Sequence, residues 1–267
     1  MQLQWSSPSS CMEKIRRIAE TPADICVVGG DFHPDLLSSI LRLEEISKAM
    51  PVIYVPGNLD FYSMNGDDKT MEAYLSEAME VADKIGNIHV LSNSSVVIEG
   101  TKFIGSTLWG KIDEEDNVAK HRALTGIADF TYMKTVGGKW DIERMNLEHD
   151  ISVDFIEDAL TIDRELPTVV VTHTSPHPSA VNPKYAGDIL GPMFNPDLSH
   201  ILNGPFAPDY WIAGGVHYTG EWRIGNTEVV ANGLGHMGRT GPENPDFDYH
   251  RTFDVAPRLS AERHPSF

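Results

Sequence analysis

The sequence predicts an α/β fold, and three observations support this prediction. Short apolar segments of strand length recur along the chain, and longer segments with apolar residues at helical spacing lie between them. Several of the strand-like segments run directly into turns that carry a carboxylate, amide or imidazole side chain. These are residues 25–28, 52–55, 168–172 and 210–213. Open α/β sheets form their sites just beyond the carboxyl ends of strands, so these turns are the candidate functional region.

The first half of the chain alternates strands and helices. A first strand is expected at residues 2–6, and a helix at 12–19, where Ile15 and Ile18 lie at helical spacing. Two further helices are expected at residues 36–49 and 68–85. The further strands are expected at residues 25–28, 52–55, 89–91, 95–99 and 101–105. Gly100 separates the last two strands and predicts a hairpin turn.

The second half begins with a polar stretch, residues 110–140, which is expected to be an irregular, mobile cap or loop insertion. A helix is expected at 141–160, and strands follow at residues 168–172, 210–213, 220–224 and 227–231. Because no linker, repeat or low-complexity tract interrupts the pattern, residues 1–267 are interpreted as one domain. The order of strands and helices predicts a layered α/β sandwich.

Composition restricts the classes of partner. The chain has 267 residues, 41% hydrophobic content and a formal net charge of −18. An acidic protein is a poor match for the phosphate backbone of nucleic acids or for anionic membranes. The 2 cysteines do not predict a disulfide framework, and no segment is typical of a targeting signal or a membrane span. A soluble cytoplasmic protein is therefore expected.

The strand-end turns carry a set of side chains suited to metal binding. Asp31, Asn58, His173 and His217 offer a carboxylate, an amide oxygen and two imidazoles. This mixture of oxygen and nitrogen donors suits Mn, Fe, Zn or Ni better than Ca²⁺ or a thiolate-bound metal. A carboxylate can also bridge two ions about 3.5–4 Å apart, which is the arrangement used for phosphoryl hydrolysis.

Short motifs at these turns resemble those of the calcineurin-like metallophosphoesterase family. The motifs are Gly30-Asp31, Gly57-Asn58-Leu59-Asp60, the strand that ends at His173, and Gly214-Gly215-Val216-His217. The likeness extends over roughly residues 1–255. It implies a four-layer α/β/β/α sandwich of the metallophosphoesterase type. It also implies hydrolysis of a phosphate mono- or diester, and therefore a small phosphorylated substrate.

Departures from the family pattern concern the metal centre. Pro8 and Ser10 stand where the family carries an aspartate and a histidine ligand. Leu59 replaces a histidine that contacts the substrate phosphate or leaving group, and Gly215 replaces a histidine ligand. The resemblance therefore implies an incomplete centre with at most one divalent metal, and a metal-free protein is the alternative.

The remaining ligands define the candidate roles. Asp31, Asn58 and His173 would hold a single ion, since three protein ligands and an open position suffice for catalytic metal sites. His217 would be a further ligand or a general acid, and Asp60 would orient the others. His33 is a further catalytic candidate, and the alternative is that it is an ordinary loop residue. The histidines that could replace the missing metal ligands are His33, His177 and His236.

Three functional hypotheses stay open at this point. The first is a divergent one-metal phosphoester hydrolase. The second is a metal-free enzyme that reuses the cleft, with histidines as acid and base. The third is a non-catalytic protein that binds a ligand or partner in the same cleft. Loss of the first motif favours the second and third, whereas retention of Asp31, Asn58, Asp60, His173 and His217 favours a polar function.

Overall fold

The computed structural model describes residues 8–63, 66, 68–238 and 241–256, with residues 8–10 described by their backbone alone. The expected first strand at 2–6 lies outside the described residues. The helices are α1 (Pro8–Ala19), α2 (Leu36–Ser47), α3 (Met71–Ile85), α4 (Asn117–Gly126), α5 (Asp129–Tyr132), α6 (Ile142–Leu160), α7 (Gly191–Phe194) and α8 (Ser199–Leu202). The strands are β1 (Cys26–Val28), β2 (Val52–Tyr54), β3 (Ile88–Val90), β4 (Ser94–Ile98), β5 (Thr101–Ser106), β6 (Lys134–Thr135), β7 (Gly138–Lys139), β8 (Thr168–Thr172), β9 (Tyr210–Ala213), β10 (Thr219–Ile224), β11 (Thr227–Asn232), β12 (Met237–Gly238) and β13 (Gly241–Pro242).

The first sheet is parallel and has the strand order β1-β2-β3. Its register pairs Cys26 with Val52 and Val52 with Ile88. Local sequence signals set the ends of its helices. Asp35 accepts a backbone hydrogen bond at the N-terminus of α2, and Gly86 ends α3 in the left-handed conformation with φ 84°. The chain therefore alternates strand and helix in this half, as the sequence predicts.

The second sheet has the strand order β10-β11-β9-β8-β5-β4. Its inner strands β5, β8, β9 and β11 run parallel, and the edge strands β4 and β10 are antiparallel to their neighbours. Every residue of β8 is buried, which explains why its sequence is an uninterrupted run rather than an alternating one. Glu99 and Gly100 both have positive φ and form the tight turn between β4 and β5.

Side chains of β2 alternate between two hydrophobic clusters, because successive strand residues point to opposite faces. Val52 and Tyr54 belong to a cluster formed with α1, α2 and α3. Ile53 belongs to a cluster that it shares with Val169 of the second sheet. A further cluster joins the second sheet to α6 through Ile156. The predicted α/β fold is confirmed, with two sheets that pack on each other.

Residues 110–140 differ from the expectation. The predicted irregular character is wrong, since α4, α5 and the β6–β7 ribbon occupy most of this segment. Phe130, Met133 and Trp140 are buried in the same cluster as α1–α3. The Trp140 ring contacts that of Trp109, with centroids 4.5 Å apart. Most charged residues of the segment, such as Lys111, Asp113 and Glu114, are exposed, whereas Asp129 is buried.

Across the described part of the chain, none of the helices combines the length and the apolar character needed to span a bilayer.

Candidate functional site

Asp31 and His173 form a buried pair at the meeting point of the two sheets. Asp31 follows β1 and His173 follows β8, so each sheet contributes one residue. Asp31 Oδ2 lies 3.4 Å from His173 Nε2. His173 Nδ1 donates a hydrogen bond to the Gly29 carbonyl oxygen at 2.7 Å. This bond fixes the ring, and it leaves Nε2 as the nitrogen that faces Asp31.

The two groups stabilise each other's charged forms. Burial alone would raise the pKa of Asp31 and lower the pKa of His173. Their mutual attraction outweighs burial in both cases, so the pKa of Asp31 is lowered and the pKa of His173 is raised. The carboxylate is therefore ionised at neutral pH and can act as a ligand or a hydrogen-bond acceptor.

Glycines allow two loops to approach this pair. A Cβ on Gly57 would lie 2.3 Å from Asp31 Oδ1 and 2.7 Å from His173 Nδ1. A Cβ on Gly215 would lie 2.9 Å from His173 Nε2. These distances are too short for any side chain, so glycine is required for this backbone path. The residue at position 215, which departs from the family pattern, is thus in direct contact with the pair.

Asp60 joins the loops after β1 and β2. Its side chain is completely buried, and Oδ2 accepts hydrogen bonds from the backbone N–H of Asp31 at 3.0 Å and of Gly57 at 2.7 Å. The Tyr54 hydroxyl donates to the carboxylate at 2.7 Å, and Ser39 Oγ donates to Oδ1 at 3.1 Å. Burial, followed by the charge of Asp31, raises the pKa of Asp60 to about 6. Asp60 therefore holds Asp31 in place without reaching the solvent.

Asn58 is oriented by a carboxylate from the 110–140 segment. Its Nδ2 donates to Asp129 Oδ1 at 2.7 Å and to the Tyr62 hydroxyl oxygen at 3.2 Å. The Tyr62 hydroxyl donates to the same Asp129 oxygen. Burial raises the pKa of Asp129. Because the amide nitrogen is committed to these partners, the amide oxygen of Asn58 is the atom left for a ligand.

His217 lies in a second group with His236 and Glu243. One ligand atom from each of the three lies within 4.8 Å of the other two. His217 Nδ1 is 3.0 Å from Glu243 Oε2, and the two imidazole rings meet edge to face with centroids 4.7 Å apart. His217 has φ 52°, which is uncommon for a residue with a side chain.

Charge in this second group is controlled by its neighbours. Burial and then His236 lower the pKa of His217 to about 4, so its imidazole is neutral at pH 7. Burial alone would raise the pKa of Glu243, but hydrogen bonds from Tyr185 and Lys184 lower it to about 2. The group therefore presents a neutral imidazole beside an ionised carboxylate.

One cavity of about 540 Å³ receives most of the predicted residues. Asp31, Asn58, His173 and His217 all line it, and so does His236. Its apolar wall includes Trp109, Met145, Leu190, Met193, Phe194 and Val216. A second cavity of about 500 Å³ contains none of the predicted site residues and is lined by both sheets and by residues 247–255. The first cavity is therefore the candidate site.

Two predicted histidines lie elsewhere. His33 does not line the cavity; its Nδ1 is 3.4 Å from Asp35 Oδ2 at the start of α2. His33 is connected to Asp60 only through Ser39, whose Oγ accepts the His33 N–H at 3.0 Å. His177 contacts serine hydroxyls outside the cavity. The catalytic role of His33 stays a prediction, and of the three replacement candidates His236 is the one at the cavity.

Sequence reasoning missed Asp129 and Glu243. Asp129 lies in the segment that was expected to be irregular, and its neighbours in sequence give no sign of a site. Glu243 lies seven residues after His236, and Gly238 and Gly241 between them indicate a tight turn that could have suggested the pairing. The structure does not test the predicted loss of ligands at Pro8 and Ser10, since the side chains of these two residues are not described.

Comparisons with known proteins support the fold. No family model matches the chain. The uncharacterized protein L509 of Acanthamoeba polyphaga mimivirus is 27% identical over 205 residues, which cover 73% of this chain and 71% of that protein. The crystal structure of the phosphopantetheinyl hydrolase PptH from Mycobacterium tuberculosis has a TM-score of 0.62 and 15% identity over 80% of both chains. Another solved structure has a TM-score of 0.51 and 18% identity over 87% of this chain and 88% of the other. At these identities the likeness shows the fold alone, which is consistent with the phosphoesterase-like fold expected from the motifs.

Proposed function

We propose that this protein is a divergent phosphoester hydrolase with a divalent transition metal at the 540 Å³ cavity. The observation that carries the proposal is the convergence of Asp31, Asn58, His173 and His217 on that one cavity. The fold shared with a phosphopantetheinyl hydrolase supports it. In this proposal the two sheets and their helices are the four-layer α/β/β/α sandwich of the metallophosphoesterase type.

The donors around Asp31 fit one divalent cation of the Mn, Fe, Zn or Ni class. The carboxylate of Asp31 is ionised, and His173 presents Nε2 because Nδ1 is bonded to a backbone carbonyl. Asn58 retains its amide oxygen as a ligand because its nitrogen faces Asp129. A cation held by these three atoms polarises a phosphoryl oxygen and lowers the pKa of a bound water.

The protein itself supplies positioning and a partly apolar environment. Asp60 fixes the backbone of Asp31, and Asp129 fixes the amide of Asn58. His217 is a neutral imidazole at pH 7, which favours the role of ligand or proton acceptor over that of general acid. Arg122 lines the cavity, where it pairs with Asp188 at 3.3 Å, and its guanidinium is the candidate partner for a phosphate group. The apolar wall suits an ester whose leaving group is an apolar or aromatic alcohol.

Leu59 lies at the cavity, where the family pattern has a histidine. No side chain at this position can therefore protonate a leaving group, and loss of a general acid typically costs about 10²–10⁴-fold in rate. The substrate expected to react best is a phosphate mono- or diester with an acidic leaving alcohol, such as a p-nitrophenyl ester.

The test combines metal content with activity. Protein purified without chelator and supplied with Mn²⁺ is analysed for metal per chain and assayed with p-nitrophenyl phosphate and bis-p-nitrophenyl phosphate. Asp31→Asn and His173→Gln are expected to abolish hydrolysis and the binding of the metal held at this centre. His200→Gln is the control, since His200 pairs with Glu157 on the surface at 3.2 Å.

Hydrolysis that is unchanged in Asp31→Asn and His173→Gln would overturn the proposed centre. Wild-type protein that folds but neither binds metal nor hydrolyses these esters would overturn the proposed function. In that outcome the metal-free enzyme or the ligand-binding protein becomes the better hypothesis.

A further inference from the structure

A short ribbon brings His236 and Glu243 together. Met237 pairs with Pro242 and Gly238 with Gly241, so the two residues that flank the ribbon face each other across its open end. The Glu243 N–H donates to the His236 carbonyl oxygen at 2.8 Å, which closes this end. The pairing is therefore a direct result of the local backbone.

The loop after β9 places His217 beside His236 and Glu243. Asn182 donates its side-chain N–H to the His217 carbonyl oxygen at 3.0 Å and so anchors this loop. A Cβ on Gly235, which has φ 70°, would lie 2.9 Å from Glu243 Cβ and 3.2 Å from His217 Cβ. Glycine at this position lets the two loops approach closely enough to share a small ligand.

We propose that His217, His236 and Glu243 form a second divalent cation site, of the zinc type, apart from the centre at Asp31 and His173. Two imidazoles and one carboxylate are a ligand set that zinc uses with one position left open. The three ligand atoms lie within 4.8 Å of one another. A tetrahedral ion with ligands at about 2 Å would draw them to about 3.3 Å apart, which is a small contraction of the group.

The carboxylate of Glu243 is held in the way that metal ligands commonly are. Its Oε1 accepts hydrogen bonds from the Tyr185 hydroxyl at 2.6 Å and from Lys184 Nζ at 3.0 Å. Its Oε2 is the oxygen next to His217 Nδ1. The neutral Tyr185 hydroxyl orients the carboxylate, and loss of such an outer partner typically lowers metal affinity by about 10–100-fold. Lys184 differs, because its positive charge opposes a cation at this site.

Both imidazoles of this group line the 540 Å³ cavity. A cation at this site would place positive charge at the part of the cavity wall formed by His217 and His236. The site would thus add positive charge to the cavity separately from the centre at Asp31 and His173. Its existence does not depend on hydrolysis, and it can be tested by metal binding alone.

The experiment is a Co²⁺ titration of chelator-treated protein, followed by visible absorption and by calorimetry with Zn²⁺. The background is the double variant Asp31→Asn with His173→Gln, which removes the other proposed centre. One Co²⁺ per chain is expected in this background. Adding His236→Gln or Glu243→Gln is expected to weaken binding at least about tenfold, as for loss of a ligand or its partner.

A surface pair of the same chemistry serves as the matched control. His200→Gln with Glu157→Gln is expected to leave the affinity unchanged, because this exposed pair does not line the cavity. Lys184→Met is expected to tighten binding severalfold, because it removes a competing positive charge that lies 3.0 Å from Glu243. If the double variant fails to fold, the same substitutions are made in the wild-type chain, where the expected stoichiometry falls from two ions to one.

The outcomes separate this site from the proposed catalytic centre. Co²⁺ affinity that is the same with and without His236→Gln and Glu243→Gln would overturn the second site. Metal lost only in Asp31→Asn with His173→Gln would overturn the second site and support the catalytic centre. One Co²⁺ per chain in both the wild type and the double variant, lost on His236→Gln, would support the second site and count against the catalytic centre.

Discussion

Replacing Asp60 by alanine tests how the site is held together. Asp60 accepts hydrogen bonds from two backbone N–H groups and two hydroxyl groups in a fully buried position. Asp60→Ala removes the acceptor but leaves the donors in place. Within the described part of the chain, Asp60 is the acceptor for the N–H groups of both Asp31 and Gly57, so both groups become unsatisfied.

The magnitude follows from these contacts. A buried donor without a partner costs about 1–3 kcal/mol. Ser39 Oγ keeps a second acceptor, the Asp35 carbonyl oxygen at 3.2 Å, so its loss is small. Two backbone donors and the Tyr54 hydroxyl remain, which at this cost each gives a loss of about 3–9 kcal/mol in the free energy of unfolding. Asp60→Asn keeps one oxygen for the backbone donors, and the hydroxyls can rotate to accept from its amide, so a loss of about 1 kcal/mol or less is expected.

Urea unfolding at pH 7, followed by circular dichroism and tryptophan fluorescence, measures both variants against the wild type. The slope of the free energy of unfolding against urea concentration should be the same for the variants and the wild type. A shift in the urea midpoint then reports a change in stability. An Asp60→Ala variant within about 1 kcal/mol of wild type would refute the reasoning. So would an Asp60→Asn variant that is as unstable as Asp60→Ala.

Three further predictions concern the cavity and its support. Gly57→Ala places a methyl group 2.3 Å from Asp31 Oδ1 and should weaken Mn²⁺ binding at least about tenfold by calorimetry, whereas Gly137→Ala, whose nearest contact is 3.7 Å, should leave it unchanged. Asp129→Ala frees the Asn58 amide and should lower kcat for p-nitrophenyl phosphate about tenfold with the fold retained; an unchanged kcat would show that the amide needs no such support. His149 has a lowered pKa, first because of burial, so its contribution to stability is complete above pH 7 and declines as the pH falls below about 6.5. His149→Gln should therefore lose less stability than wild type between pH 7.5 and pH 5.5, and equal losses in urea midpoint would contradict this assignment.

Several residues of the candidate site could be named from the sequence because they lie within about four residues of a strand end. A strand such as Thr168–Thr172 is a continuous apolar run, and the residue after it lies at the sheet edge. The same argument places Asp31, Asn58 and His217 at neighbouring strand ends. It does not distinguish a residue that faces the cavity from one that lies behind it. Asp60 is behind the cavity, and His33 turns back to α2.

The 110–140 segment shows where local patterns fail. Its helices are short, and their apolar residues are too few to give a clear period. Packing against α1–α3 stabilises them, and this packing brings Asp129 to Asn58 across 71 residues of sequence. No local sequence pattern in the segment predicts the contact between Asp129 and Asn58.

The amino-acid sequence by itself determined the α/β class, the main strands and helices, and the polar residues at the strand ends. These follow from periodicity and turn chemistry, which act over a few neighbouring residues. The tertiary structure decided which of these residues meet: Asp31 with His173, Asn58 with Asp129, and His217 with His236 and Glu243. These contacts join residues that are distant in sequence. They form only when the two sheets and the loops between their strands pack into one folded structure.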